Sequence, residues 1–410
     1  MNRIGALLVP ALIALLLAVA CQQYKLSETE AHLLLDSLEH KLHWLHFRLF
    51  EESWDFYTTG RSDSLDFYQG LYSHVTTDRQ TLRRLQAAEP LFVDEVDRRR
   101  RQLAHAELLL AQVESREKIE KLRDSLLHVD ITYRAEFEGK ERTNAFLYET
   151  YRSDPNRDRR ERAYRAWCSV GDSLADGLGQ LIRLRNQKAH RMGYSSYLSM
   201  VFNEQEIDQI EYLSLLNRLD SLTLEPYTNV LAGIAGRLSL SDVEVWDLGY
   251  AYADIRQPVD RYFPADSQMP IIHRSLKQIG FDIDKLPIYF DLESREGKSQ
   301  LAYAFPVKPP HDVRVLANMT DGLYSLRTLL HEIGHALHFA HIEQERPLFN
   351  NSMSGSWEEG MAQTVAALCD EREWLLRYGR LPLRLAERYL EAKKEREIIS
   401  IRVSLLRLYF

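Results

Sequence analysis

His331-Glu332-Ile333-Gly334-His335-Ala336-Leu337-His338 decides how this 410-residue chain is read. Its first five residues spell H-E-x-x-H. Residues four apart stack on one face of a helix, so His331 and His335 can present both imidazoles to a single metal ion. Glu332 then stands beside that ion, placed to take a proton from a water molecule. A helix is expected here, because Leu323, Leu326, Leu329 and Leu330 lead into the motif at helical spacing. The Thr320-Asp321 pair before them is suited to cap it. Gly334, which has no Cβ, fits where a second helix or a substrate backbone must come close.

A catalytic zinc site takes three protein ligands and leaves a position for water. Glu359 is the candidate third ligand. It lies 24 residues after His335, in Ser356-Trp357-Glu358-Glu359-Gly360-Met361-Ala362-Gln363, a segment that also reads as a helix start. Glu358 and Glu359 point about 100° apart on a helix, so only one can face the ion. Glu359 is favoured and Glu358 is the alternative. Gln363, one turn beyond Glu359, is expected to hydrogen-bond a ligand. His338 shares the face of His331 and His335 and is expected to line the cleft or support a ligand. A competing pattern, H-E-x-x-H-x-x-G-x-x-H, would use His341, but it needs a glycine to turn the chain. Here that position is His338, and ten residues of straight helix span about 15 Å. His341 is therefore set aside.

Composition bounds the alternatives. A chain 45% hydrophobic and 27% charged suits a globular protein with a large core. The net charge of −8 argues against a nucleic-acid partner. Arg98 to Arg101 follow Asp94, Glu95 and Asp97 and read as a solvated helix face. Residues 1–20 read as a leader: Arg3, then an apolar run from Ile4 to Ala20. Leu17-Ala18-Val19-Ala20-Cys21 resembles a bacterial lipobox, in which the cysteine is lipidated. The expectation is an exported, membrane-anchored lipoprotein on the periplasmic side of the outer membrane or at the cell surface, with residues 21–410 as its domain. An ordinary cleaved signal or an uncleaved anchor are the other readings. Cys168 and Cys369 are expected as buried free thiols.

The remaining pattern is mainly helical. Ser27-Glu28-Thr29-Glu30 forms a capping box that opens a run with Leu33, Leu34, Leu38, Leu42 and Leu45. A later run with Ile207, Ile210, Leu213, Leu216 and Leu219 is expected to be broken or ended by Pro226. Strand signals gather just before the metal motif, at 288–292, 301–307 and 313–316, with Lys308-Pro309-Pro310-His311-Asp312 as a turn.

His331 to His338 resembles the zinc helix of the thimet-type oligopeptidases. The 24-residue step to Glu359 resembles the angiotensin-converting-enzyme family, also called peptidyl-dipeptidase A. Both groups are gluzincins. Upstream, Glu161 to Trp167 and Leu184 to Tyr197 resemble the N-terminal half of such peptidases, and Arg295 to Phe305 with Val313 to Asn318 resemble the strand pair lining their cleft. The resemblance implies a mainly α, two-lobed metallopeptidase fold with a deep cleft and a small β-sheet next to the zinc helix. It implies one Zn2+ per chain on His331, His335 and Glu359, with Glu332 as general base and later proton donor. Short peptides would be the substrates, their backbone bound by strand addition at Ala302 and Ala304. The family often carries an aspartate where this chain has Gln363. It also uses a tyrosine and a histidine, far beyond the second zinc histidine, to stabilise the oxyanion. Only positions 336–410 follow His335, so a C-terminally incomplete sequence is expected. Were Phe410 the natural end, the alternative would be a lipoprotein that binds peptides with impaired catalysis.

Overall fold

The structure is a computed structural model that describes residues 26–114, 117–342, 346–350 and 355–409. Residues 1–20, expected to be a leader, lie outside the described residues, as do Cys21 and Phe410. No helix among the described residues is long and apolar enough to cross a membrane.

The fold is mainly α, as the sequence pattern implied. Helix α1 (Glu28–Thr59) starts on the capping box: Ser27 Oγ accepts from Glu30 N, and Glu30 Oε2 accepts from Ser27 N. Its buried stripe is Ala31, Leu35, Leu38, Leu42 and Leu45, at alternating spacings of four and three. Leu33, expected on that stripe, points outward. Around α1 pack α2 (Leu65–Thr76), α3 (Arg79–Ala87), α4 (Glu95–Glu114) and α5 (Glu117–Thr132), giving an N-terminal core with Leu85, Leu108 and Ile119 at its centre. The basic run is a solvated face only at Arg98 and, in part, Arg99. Arg100 and Arg101 are buried, and Arg100 is gripped by Glu39, Asp36 and Asp97. The acids that neutralise it come partly from α1, which a reading of α4 alone cannot see.

A hairpin follows, β1 (Ala135–Phe137) and β2 (Lys140–Arg142), unforeseen from sequence. Glu138 and Gly139 both take positive φ, the tight turn that suits paired strands. Then come α6 (Asn144–Ser153), α7 (Arg157–Cys168), α8 (Val170–Arg191), α9 (Tyr197–Glu204) and α10 (Gln209–Leu238). Helix α10 runs through Pro226 instead of stopping there. A proline costs an interior helix about 3 kcal/mol, and tertiary support offsets it. Just before the proline, Arg402 donates to the Asp220 carbonyl and carboxylate and to Thr223 Oγ1. Cys168 is exposed, contrary to expectation, while Cys369 is buried; both are free.

The second core surrounds the metal motif. Helices α11 (Ala253–Asp260) and α12 (Ala265–Gln278) precede a three-stranded sheet of β3 (Ile288–Asp291), β4 (Tyr303–Lys308) and β5 (Asp312–Leu316). The strand order is β3-β5-β4, with β3 parallel and β4 antiparallel to the central β5. Strand β4 is therefore an edge. On one side it packs on α1, where Trp54 meets Phe305 edge-on and Tyr57 meets Tyr303. The loop before β4 is pinned by Lys298, whose buried Nζ donates to Asp291 Oδ1 and to the carbonyls of Asp291, Glu293 and Ala317. The chain then forms α13 (Leu323–Ala340), α14 (Gly355–Ala366), α15 (Arg372–Arg377) and α16 (Leu383–Tyr409). Leu326, Leu329, Leu330 and Ile333 of α13 are fully buried in a cluster with Val313, Val315, Ile272 and Leu375.

Candidate metal centre

Helix α13 begins at a residue no capping rule picks out. Gly322 sits at φ 115°, a region open to glycine, and has no capping side chain. The N–H of Leu323 donates instead to Asp260 Oδ1, 3.0 Å away at the end of α11. The Thr320-Asp321 pair does not cap α13. Asp321 Oδ1 accepts from Ala265 N, the first residue of α12, at 2.9 Å. The cap is thus tertiary: one helix end supplies the acceptor for another.

From that start the apolar face of α13 turns inward, and His331, His335 and His338 fall half-buried on the opposite side. Gly334 lies against α14. A Cβ there would stand 2.6 Å from Ala362 Cα and 3.1 Å from Ala362 O. Only glycine lets the two helices approach this closely, and the approach carries Glu359 to the histidines.

The three expected ligands converge. His331 Nε2 lies 3.3 Å from Glu359 Oε2, and His335 Nε2 lies 3.7 Å from Glu359 Oε1. One donor atom from each residue falls within 4.8 Å of the others. Tetrahedral bonds of about 2.0–2.2 Å place neighbouring ligand atoms roughly 3.3–3.6 Å apart, so two imidazoles and a carboxylate at these separations fit a zinc-sized ion. Burial holds both histidines below the usual imidazole range, favouring the neutral ring that binds metal. Glu358 stays outside the cluster, half-buried, with its carboxyl pushed up by burial and by the Glu359 charge.

Glu332 is only 8% exposed. Burial, then the Glu359 charge, push its carboxyl up to about 7, while the Ala304 N–H donates to it and pulls the other way. A cation in the cluster would oppose the rise. Ala304 therefore reaches the carboxylate of Glu332 directly, and Ala302 lies just before the strand that carries it.

One expectation is corrected. Gln363 does not reach a ligand; its Oε1 accepts from Arg327 Nη2 at 3.1 Å. Arg327 sits one turn before His331, and its side chain intervenes where the sequence reading placed a ligand. His338 lies outside the ligand cluster with its ring against Phe339. Arg327 and Tyr303 went unnoticed in the sequence. Arg327 is four residues before His331, a spacing that could have exposed it. Tyr303 adjoins Ala304, and its hydroxyl is held above the usual phenol range by burial and by the nearby Tyr57 and Glu332.

A sequence profile for peptidase family M3 matches residues 285–371, which hold the sheet and the whole cluster. No curated protein matches the chain significantly. Among solved structures, a protein designated oligoendopeptidase F from Bacillus anthracis str. Ames is 12% identical with a TM-score of 0.58, covering 84% of this chain and 66% of its own. PZ peptidase A, solved with an inhibitor, is 15% identical with a TM-score of 0.58, covering 83% of this chain and 64% of its own. The chain spans just under two thirds of each neighbour's length. At such identities the likeness is one of fold.

Proposed function

We propose that this chain is a zinc metallopeptidase that hydrolyses peptide bonds in short peptides, as an oligopeptidase or a dipeptidyl carboxypeptidase. The reading rests on one observation: two imidazole nitrogens and a carboxylate from separate helices meet at ligand spacing beside a buried glutamate. The M3 profile over the same residues supports it. His331, His335 and Glu359 would hold the ion, which when bound supplies Lewis acidity to the scissile carbonyl and the attacking water.

The chain's own groups do the rest. Glu332, buried and raised toward neutrality, takes the proton from the attacking water and passes it to the leaving amine. The Ala304 N–H orients that carboxylate. Edge strand β4 offers backbone to an extended peptide, up to Pro306, which has no N–H to donate. Burial around Glu332 thins out competing water and strengthens each charge interaction.

Export belongs to the same reading. It rests on the Ile4–Ala20 run and on Cys21 as a lipidation site, with an anchor in the outer membrane facing the periplasm or at the cell surface. Labelling cells with a palmitate analogue should mark the protein, and Cys21→Ser should abolish the label; a label that survives the substitution rejects lipidation at this residue.

The peptidase reading is tested by metal analysis alongside a quenched-peptide assay. Glu359→Ala should lose the metal and the activity together. One zinc per chain retained in Glu359→Ala would remove Glu359 from the ligand set.

A further inference from the structure

Two contacts between α13 and α14 fall on either side of His331. At one, Gly334 of α13 lies against Ala362 of α14. At the other, Arg327 Nη2 donates to Gln363 Oε1 at 3.1 Å. Ala362 and Gln363 are neighbours on α14, whereas Arg327 and Gly334 stand two turns apart on α13, about 10 Å. We propose that Arg327 is a positioning residue of the metal centre, fixing through Gln363 the rotation of α14 that sets Glu359 against His331 and His335. The assignment rests on the metal site of the peptidase reading and adds to it a residue from outside the ligand set.

A single close contact fixes the separation of two helices but lets one swivel about the point of touch. A side-chain carboxylate stands about 5–6 Å from its helix axis, so a swivel of about 10° displaces it by about 1 Å. Metal–ligand distances tolerate only about 0.2 Å. The contact at Gly334 is therefore not enough to keep Glu359 Oε2 3.3 Å from His331 Nε2. A second tether, set away from the first along α13, removes the swivel. Arg327 supplies it one turn before His331, and Gln363 receives it one turn after Glu359.

The tether is itself anchored. Asp370, in the turn Ala367–Asp370 that follows α14, has a side chain only 4% exposed. Its Oδ2 accepts from Arg327 Nε at 3.2 Å and pairs with Lys393 of α16 at 3.2 Å, while its Oδ1 accepts from the Tyr389 hydroxyl at 3.3 Å. Nε and Nη2 belong to one planar guanidinium, so a grip on the first aims the second at Gln363. A lysine would carry the charge without this fork. Arg327 also lines a cavity of about 470 Å³ with Arg152, Arg256 and Arg396, from α6, α11 and α16. The acids of that cavity are engaged elsewhere: Glu149 with Arg256, Asp260 with Leu323 N and Asp321 with Ala265 N. The guanidinium therefore stays with Asp370 and Gln363.

Metal binding, read separately from cleavage, tests this on the full chain. Zinc affinity is measured by competition with a chromogenic chelator, and ligand geometry by the visible absorption of the cobalt(II)-loaded protein. Gln363 is exposed, so Gln363→Met removes the acceptor without opening the core. It should weaken zinc about three- to tenfold and alter the cobalt spectrum. Arg327→Lys, which keeps the charge and loses the fork, should weaken zinc by a similar factor. Because both substitutions break one bond, the double variant should bind zinc within about twofold of either single one. Gln363→Glu, which keeps an acceptor at the same reach, should bind zinc at least as tightly as the parent. Parent-like affinity and spectrum in folded Gln363→Met overturn the proposal, as do losses that multiply in the double variant. Zinc bound with these dependences but no peptide cleavage by the unmodified protein would instead sink the peptidase reading and leave the positioning role standing.

Discussion

Glu332 is the residue whose surroundings most constrain the chemistry. Its carboxylate is buried, receives the Ala304 N–H and lies beside a cluster that can hold a cation. Replacing it with glutamine keeps the shape and hydrogen-bonding capacity but removes the base. Glu332→Gln should retain one zinc per chain by elemental analysis while losing at least about 10²-fold in peptide turnover. Full turnover with zinc bound would move the base elsewhere. Gly334 matters for the opposite reason, because it contributes nothing but space. Gly334→Ala sets a methyl 2.6 Å from a backbone atom of α14. Overpacking of this kind costs about 1–3 kcal/mol. It also shifts the helix bearing Glu359, so zinc affinity should fall along with the unfolding midpoint. Unchanged zinc affinity in Gly334→Ala would show that the helices need not meet so closely.

At the level of elements, the joints decide geometry more than the helices themselves. The end of α11 caps α13 through Asp260, and the short turn Val245–Leu248 is locked to α7 through Asp247. Burial alone would raise the Asp247 carboxyl, but hydrogen bonds from Arg157 and Arg160 outweigh it and hold the group below the usual carboxylate range. A carboxylate depressed in the folded state contributes stability that is complete above its unfolded value of about 3.9 and is lost as the pH falls through the folded value. Acid should therefore loosen this joint at pH below about 4. Asp247→Asn should be less stable than the parent at pH 7, and the gap should close as the pH falls below 4; melting curves across pH 7 to 3 measure it, and a gap that stays constant would rule the linkage out.

Across the whole molecule, a buried ion pair of the N-terminal core also holds a segment that lies between the helices of the metal cluster. Arg100 and Glu39 are each 2% exposed in their side chains, and Glu39 Oε1 also accepts from Leu348 N, in the segment between α13 and α14. The N-terminal core therefore steadies the chain that delivers Glu359. Arg100→Ala strands Glu39 without its partner and should cost about 3–5 kcal/mol in urea unfolding. A loss below 1 kcal/mol would mean that water or rearrangement supplies the missing charge.

The sequence alone determined the local chemistry. The H-E-x-x-H spacing, the capping box at Ser27 and the strand signals before the motif are each carried by residue types within a few turns of one another, where helical and strand periods fix which side chains share a face; Glu359 was singled out by its distance of 24 residues from His335, and only the close approach of two helices at Gly334 brings it there. Tertiary structure alone decided that Gln363 faces Arg327, that Asp260 caps α13, that α10 passes Pro226, that Arg100 is buried, and that arginines from four helices line one cavity. Each of these pairs residues far apart in the chain, and periodicity has no information about which distant surfaces meet.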